Sequence, residues 1–163
     1  MMYSIDDIMD MLGWKASKEE QQKGIELAKN IRSIDAFVMP LTQGINGNVW
    51  DNCAKVLAAK SDDVLDPYLS RLLIWLADIM KPGALTIYKR LRDFSKVDGN
   101  LSIAFEIRAQ EAIIDDNTLW LGTLAGLIDG NEQIKAKLEK ELPEDILSIL
   151  HEHNEELIWL NEE

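Results

Sequence analysis

Hydrophobic residues recur along this chain at the spacing of three or four that is typical of amphipathic helices. The stretch 61–94 shows it best, because one helical stripe there consists of Leu65, Tyr68, Leu69, Leu72, Leu73 and Leu76. Asp66 followed by Pro67 predicts an N-cap and a first helical turn, and Pro82 predicts the start of a second helix. We therefore expect two antiparallel helices joined by a tight turn, with Trp75 at their centre.

The same spacing predicts helices on both sides of this stretch. Ser4 and Ser17 are predicted N-caps of two N-terminal helices, and Gly13 ends the first. A buried turn at Ile34 is predicted before a loop at 41–48, which is rich in glycine and asparagine. Further helices are predicted at about 48–60, 101–114, 116–130, 134–142 and 143–157 from the recurrence of apolar residues.

Two of the C-terminal helices have distinctive patterns. The helix from about Leu101 to Ile114 has few charged or amide positions, so we predict that it is the most buried helix of the fold. In the following helix Gly122 and Gly126 are four residues apart, which predicts a face that a neighbour approaches closely. Asp115 and Asp116 are predicted to start that helix, as Asp6–Asp7 and Asp62–Asp63 start others, where acids complement the helix dipole.

No segment alternates apolar and polar residues as a half-buried strand would, so the predicted class is all-α. Trp-Leu pairs at Trp75, Trp120 and Trp159 are spaced by 45 and 39 residues, a period typical of two-helix repeats. The prediction is a single domain over 1–163, built as a short right-handed α-α superhelix of HEAT- or armadillo-like antiparallel helix pairs.

Charge narrows the classes of partner. The formal net charge is −12, and two thirds of it comes from residues 129–163, with 11 acidic and 3 basic side chains. Such a surface repels nucleic acid and attracts a basic protein or a cation. The alternative is that the charge only keeps the protein in solution.

The single cysteine, Cys53, excludes a disulfide framework within the chain and predicts a cytoplasmic protein. We expect no secretory signal and no membrane-spanning segment, because no sufficiently long apolar run is present. Cys53 lies on an apolar stripe, where a thiol is inert.

No pattern in the sequence predicts catalytic chemistry, a metal or a cofactor. His151 and His153 point about 200° apart on a helix and cannot share an ion, while His151 with Glu155 would give only two ligands. Glu111 and Arg108, at i and i+3, are predicted to form an ion pair. No glycine-rich phosphate loop is present.

A string of short motifs in the middle of the chain resembles a known family. The motifs are Trp50-Asp51-Asn52-Cys53-Ala54, Val56-Leu57, Pro67-Tyr68-Leu69, Trp75-Leu76-Ala77-Asp78 and Pro82-Gly83-Ala84. They resemble small all-helical bacterial proteins of unassigned biochemical function, similar to HEAT-like immunity proteins of polymorphic toxins. The resemblance covers about 49–120 and departs from the family at Met80-Lys81. It implies a HEAT-like fold and a binding role, and no catalytic residues.

The hypothesis from the sequence is a non-enzymatic interaction protein, of the kind that neutralises a basic toxin. The candidate partner-binding residues are Asp78, Glu152, Glu155 and Glu156. Neither nucleic acid nor a membrane is expected as a partner. The alternative is a helical domain that binds or hydrolyses a small molecule with carboxylates in a groove.

Overall fold

A computed structural model describes residues 3–38 and 49–161, which contain helices and turns and no strand. The all-α prediction is thereby confirmed, and the loop predicted at 41–48 lies outside the described residues. Within the described ranges, no helix has the length and apolar character needed to cross a membrane. The α-helices are α1 (Ile5–Leu12), α2 (Lys18–Lys29), α3 (Asp35–Val38), α4 (Trp50–Ala58), α5 (Asp62–Leu65), α6 (Leu69–Ile74), α7 (Ala84–Arg92), α8 (Leu101–Ile114), α9 (Thr118–Asp129), α10 (Glu132–Glu141) and α11 (Glu144–Glu152).

Side-chain caps start the two N-terminal helices where the sequence predicts. Ser4 Oγ accepts a hydrogen bond from the backbone N–H of Asp7, and the Asp7 carboxylate accepts one from the Ser4 N–H, each at 3.1 Å. Ser17 Oγ accepts from the N–H of Glu20, also at 3.1 Å. Each bond satisfies a backbone donor that the first helical turn leaves without a partner.

The predicted N-cap at Asp66 is wrong. The helical path already begins at Asp62, capped by Ser61, and Asp66 itself has helical angles of φ −51° and ψ −48°. Its buried carboxylate instead accepts hydrogen bonds from Asn100, at 3.0 Å from the backbone N–H and at 2.6 Å from the side-chain amide. The acid ties the loop before α8 to this helical segment, a long-range contact that local spacing does not encode.

The start of the next helix also differs from the prediction. Pro82 precedes the helix, which begins at Ala84 with Gly83 as N-cap in the left-handed region, φ 86°. A Cβ at Gly83 would lie 2.8 Å from the Trp50 carbonyl oxygen, so α7 can approach α4 this closely only with glycine there. The predicted pairing within the stretch 61–94 changes as well, because α7 packs mainly against α4 and α6 mainly against α8.

The most buried helix is α9, and the prediction that α8 holds this place is wrong. Every residue from Trp120 to Ile128 is buried. The close approach predicted at the two glycines is present: a Cβ at Gly126 would lie 2.9 Å from the Tyr88 hydroxyl, and one at Gly122 would lie 3.2 Å from the Cβ of Glu156. Helix α9 is therefore covered on its glycine face as well as by α8, α10 and α11.

Candidate functional site

Helix α8 carries two apolar faces, and only one of them is buried. Its buried face, made of Leu101, Ala104, Phe105, Ala109 and Ala112, belongs to a helix that packs chiefly against α6 and α9. The other face exposes Ile103, Ile107 and Ile114, by 62%, 45% and 82% respectively. At about 100° per residue these three isoleucines and Gln110 fall within about 60° of arc. We call Ile103, Ile107, Gln110 and Ile114 the α8 stripe.

The end of the α8 stripe opens into a groove shared with α11. The groove has a volume of about 340 Å³. Buried Ile146 and Leu150 fix α11 to the core, and this leaves Ile149 only half buried beside the groove. The lining is mostly aliphatic and consists of Gln110, Ile113, Ile114, Pro143, Asp145, Ile146 and Ile149. We call this the α8–α11 groove.

Acidic side chains flank the apolar surface. Glu106 and Glu111 lie on either side of the α8 stripe in helical projection. The predicted ion pair is present, because Arg108 donates to Glu111 at 2.5 Å and also to the Ser70 carbonyl at 2.8 Å. Within the described residues, Glu106 has neither a hydrogen bond nor an ion pair through its carboxylate.

Helix α11 adds acids without cations. It contains Glu144, Asp145 and Glu152 and neither lysine nor arginine. Asp145, which lines the groove, accepts a hydrogen bond only from the adjacent Ile146 N–H, at 3.0 Å, among the described residues. The two helices that form the groove therefore carry five carboxylates and one arginine, and that arginine is already paired.

Asp115 and Asp116 end α8 and do not start α9, contrary to the prediction. The N–H of Asn117 donates to the Ala112 carbonyl at 2.9 Å, and that of Asp116 to the Ile113 carbonyl at 3.1 Å. These are the two bonds of a Schellman ending, in which Asp116 holds the left-handed position, φ 51°, that glycine usually takes. Asn117 is the N-cap of α9. The α8 dipole disfavours both acids and the α9 dipole favours them, because the N-cap of α9 follows directly. Complementing the dipole at a helix start therefore does not by itself explain their position.

The candidate residue Asp78 lies at the same end of the molecule. Its carboxylate accepts a hydrogen bond from the Met80 N–H at 3.0 Å, which closes the turn before α7. The side-chain amide of Asn117 donates to the Ala77 carbonyl at 3.4 Å. The exposed turn at Asp78 is therefore adjacent to the α8–α9 turn that carries Asp115 and Asp116.

The other three candidates lie at the end of α11 and just after it. Glu152 is the last residue of α11, and Glu155 lies in the turn that follows; both are exposed and have no hydrogen-bonding or ionic partner among the described residues. Glu156 Oε1 lies 2.5 Å from His153 Nδ1, and its Cβ rests against Gly122 of α9. Because α11 ends at Glu152, His151 and Glu155 do not share a helical face. No cluster of three potential metal ligands exists among the described residues.

Two of the acids predicted at helix starts are paired with cations in the fold. Asp62 accepts from Arg90 at 2.6 Å and from Ser95, and Asp63 pairs with Lys96 at 2.9 Å. Burial raises the pKa of Asp62, but the hydrogen bonds from Arg90 and Ser95 outweigh it and lower that pKa overall. These two acids therefore contribute less to a negative surface than the unpaired acids of α8 and α11.

Cys53 is fully buried, and burial raises the pKa of its thiol to about 12. A thiol with that pKa stays protonated near neutral pH, in agreement with the inert role expected from its apolar stripe.

Comparison with protein families, curated proteins and solved structures found no match to this chain. The candidate site therefore rests on its own geometry. The apolar part of the site, the α8 stripe and the α8–α11 groove, was not predicted from the sequence. The sequence does show a second apolar face on α8, at i, i+4 and i+11 from Ile103 on the side opposite its alanines, but not which of the two faces is exposed.

Proposed function

We propose that this protein is a non-enzymatic helical module that binds a basic protein. The observation that carries the proposal is the α8–α11 groove, an aliphatic surface whose flanking carboxylates include several without a cation partner among the described residues. Apolar surface of this kind marks binding sites for proteins, and the uncompensated acids select the sign of the partner's charge.

Electrostatics support the same class of partner. Unpaired acids occur at Glu106, at the Asp115–Asp116 turn and along α11, and the chain as a whole has a net charge of −12. A field of this sign steers a cationic surface toward the groove and disfavours nucleic acid. By contrast, the carboxylates with a lowered pKa, Asp62 and Glu141, are each held by a cation, Arg90 and Lys137 respectively.

The finer parts of the proposal follow from the resemblance and the repeat spacing. We propose that the helices form a short right-handed HEAT-like superhelix, that the protein acts in the cytoplasm, and that its partner is a basic toxin which it neutralises. The short helices and the tight turns between them are compatible with such a superhelix. An acidic immunity protein would cover the cationic surface with which a nuclease toxin binds nucleic acid.

Affinity capture from a native lysate tests the proposal. The full chain serves as bait at about 50 mM and about 500 mM salt, because the distance over which exposed charges interact falls from more than about 10 Å to between about 3 and 8 Å. We expect a basic protein to be retained at low salt and lost at high salt. Replacement of Glu152, Glu155 and Glu156 by glutamine should reduce its recovery.

The matched control removes three acids elsewhere with the same change in net charge. Asp10→Asn, Glu19→Gln and Glu20→Gln lie on α1 and α2, and all three side chains are exposed. This variant should recover the partner as the native chain does. If no basic protein is retained, or if both triple variants lose it equally, a specific acidic binding surface is ruled out and only a solubilising charge remains.

A further inference from the structure

We infer that the α8 stripe and the α8–α11 groove bind one amphipathic helix of the partner, with aliphatic residues along one face and lysine or arginine beside them. The inference rests on the proposed function and specifies how the partner is recognised. From Ile103 to Ile114 the stripe extends over about 16 Å, which is the length of about three turns of a partner helix. Aliphatic residues of that helix would pack on Ile107 and Ile114 and enter the groove beside Ile149.

The chemistry of the surface favours a helix over other peptide conformations. The described residues form no strand, so an extended peptide finds no sheet edge to which it could add. Proline-rich peptides dock between aromatic side chains, and none of the described residues that line the groove is aromatic. An amphipathic helix binds by placing its apolar anchors at i, i+3, i+4 and i+7 in a hydrophobic groove. The aliphatic α8 stripe beside the α8–α11 groove offers such a surface.

The carboxylates beside the groove favour basic residues next to the aliphatic face of the bound helix. Glu106 lies on one side of the α8 stripe and Asp145 lines the groove, and neither has a cationic partner among the described residues. Lysine or arginine beside the aliphatic face of the bound helix would therefore meet carboxylates. A second copy of this chain would instead place carboxylates on both sides of the interface, because an isologous interface uses the same surface patch on each subunit. Anionic membranes would be repelled in the same way.

A synthetic peptide tests this without knowledge of the natural partner. The probe is a fluorescent peptide of about 14 residues, in which leucines at helical spacing form one face and lysines the other. A peptide of the same composition with scrambled order has no apolar face, and a third peptide replaces every lysine by glutamate. Fluorescence anisotropy with the full chain should show that the amphipathic basic peptide binds at least about tenfold more tightly than either control peptide.

Two variants, one in the groove and one in the α8 stripe, and one control variant locate the bound peptide. Ile114→Gln alters a side chain that is 82% exposed and should leave the fold intact, and Ile107→Gln alters the middle of the stripe. Each should weaken peptide binding by about tenfold, the loss expected for an apolar anchor. Ile5→Gln changes an exposed isoleucine of α1, which packs mainly on α2, and should bind the peptide as the native chain does.

The possible failures are distinct. If the amphipathic peptide binds no better than the scrambled one, or if Ile114→Gln and Ile107→Gln bind as tightly as Ile5→Gln, the helix in the groove is refuted. The proposed function is tested separately: it is supported if the lysate capture of a basic protein depends on Glu152, Glu155 and Glu156, even when the peptide does not bind. If sedimentation shows a native dimer that Ile114→Gln dissociates, the occupant is a second copy and the inference is likewise overturned.

Discussion

Asp116 is a residue whose backbone conformation is unfavourable for its side chain. It holds the left-handed C′ position of α8, φ 51°, where a side chain other than glycine is strained. Its charge lies between the C-terminal end of α8, whose dipole disfavours it, and the N-terminal end of α9, whose dipole favours it. The backbone conformation is therefore the unfavourable feature of this position.

Replacement of this residue by glycine should stabilise the protein. Asp116→Gly removes the strain at φ 51° and should raise the free energy of unfolding by about 0.5–1 kcal/mol, measured by urea denaturation. Asp115→Gly is the matched control, because it removes the same charge from the same helix end at φ −80°. There no strain is relieved, so stability should not rise; an equal gain in both variants would show that charge rather than conformation is the cause.

Trp75 is the largest fully buried side chain, as its place at the centre of the stretch 61–94 predicts. Among the described residues its indole N–H finds no hydrogen-bond acceptor, so its contribution is one of packing. Trp75→Ala should lower the free energy of unfolding by about 3–5 kcal/mol. Trp159 is 47% exposed, and Trp159→Ala should cost about 1 kcal/mol or less. Similar losses at the two positions would contradict this assignment of the core.

At the scale of elements, α5 and the 3₁₀ turn after it (Asp66–Tyr68) hold the loop that precedes α8. Asp62 binds Arg90 and Ser95, Asp63 binds Lys96, and Asp66 binds Asn100. These contacts position the start of α8 and therefore the direction of the α8 stripe. The acids that α5 places in its first turn serve tertiary attachment as well as the helix dipole.

Loss of the Asp62 attachment should appear as a change in acid stability. The pKa of Asp62 is lower in the folded protein than its ordinary value of 3.8, so the stability it contributes is complete above that value and is lost as the pH falls below it. Asp62→Asn should cost about 1–2 kcal/mol near neutral pH and should flatten the loss of stability in acid.

The neighbouring Asp63→Asn controls for a general effect of charge. Asp63 pairs with Lys96 at the surface, where screening leaves an ion pair with little net effect. The unfolding curve of the Asp63→Asn variant should follow that of the native chain at neutral and at acid pH. If Asp63→Asn flattened the acid profile as much as Asp62→Asn, the specific attachment through Arg90 would be excluded as the cause.

At the scale of the whole molecule, the segment 157–161 is fastened across α7 and α9. The Tyr88 hydroxyl donates to Asn161 Oδ1 at 2.8 Å, Asn161 Nδ2 donates to the Gly126 carbonyl at 2.9 Å, and Arg92 donates to the Leu160 carbonyl at 2.9 Å. Gly126 has no side chain, and this leaves room for the Tyr88 ring to reach the segment. The turn that carries Glu155 and Glu156 is thereby held between α11 and this attachment.

This attachment should weaken in alkali. Burial raises the pKa of Tyr88 from 10.0 to about 12, so the stability that the neutral phenol contributes is complete below pH 10 and is lost as the pH rises toward 12. Tyr88→Phe removes the hydrogen bond to Asn161 and should cost about 1 kcal/mol near neutral pH. The difference in unfolding free energy between native and Tyr88→Phe chains should therefore shrink above pH 10; a constant difference up to pH 12 would show that the phenol does not ionise with the predicted penalty.

Local patterns in the sequence are sufficient to predict the all-α fold class and the positions of many of the helices. The bounds of α8, Leu101–Ile114, coincide with the prediction, and Ser4 and Ser17 cap their helices as expected. The ion pair of Arg108 and Glu111 is also confirmed, because i and i+3 neighbours meet on any helix. All of these features depend on residues within about one helical turn, and the sequence contains that information directly. Asp78, Glu152, Glu155 and Glu156 stay predictions.

Only the tertiary structure decided which surfaces are covered. Helix α8 has apolar residues on two sides, and the spacing alone does not say that Ala104 and Ala109 face the core while Ile107 and Ile114 are exposed. Likewise Asp66 binds Asn100 across the fold rather than capping its own helix. The physical reason is that helical periodicity is a property of consecutive residues, whereas burial depends on which distant segments meet, and small alanines let α6 and α9 approach where isoleucine would hold them apart.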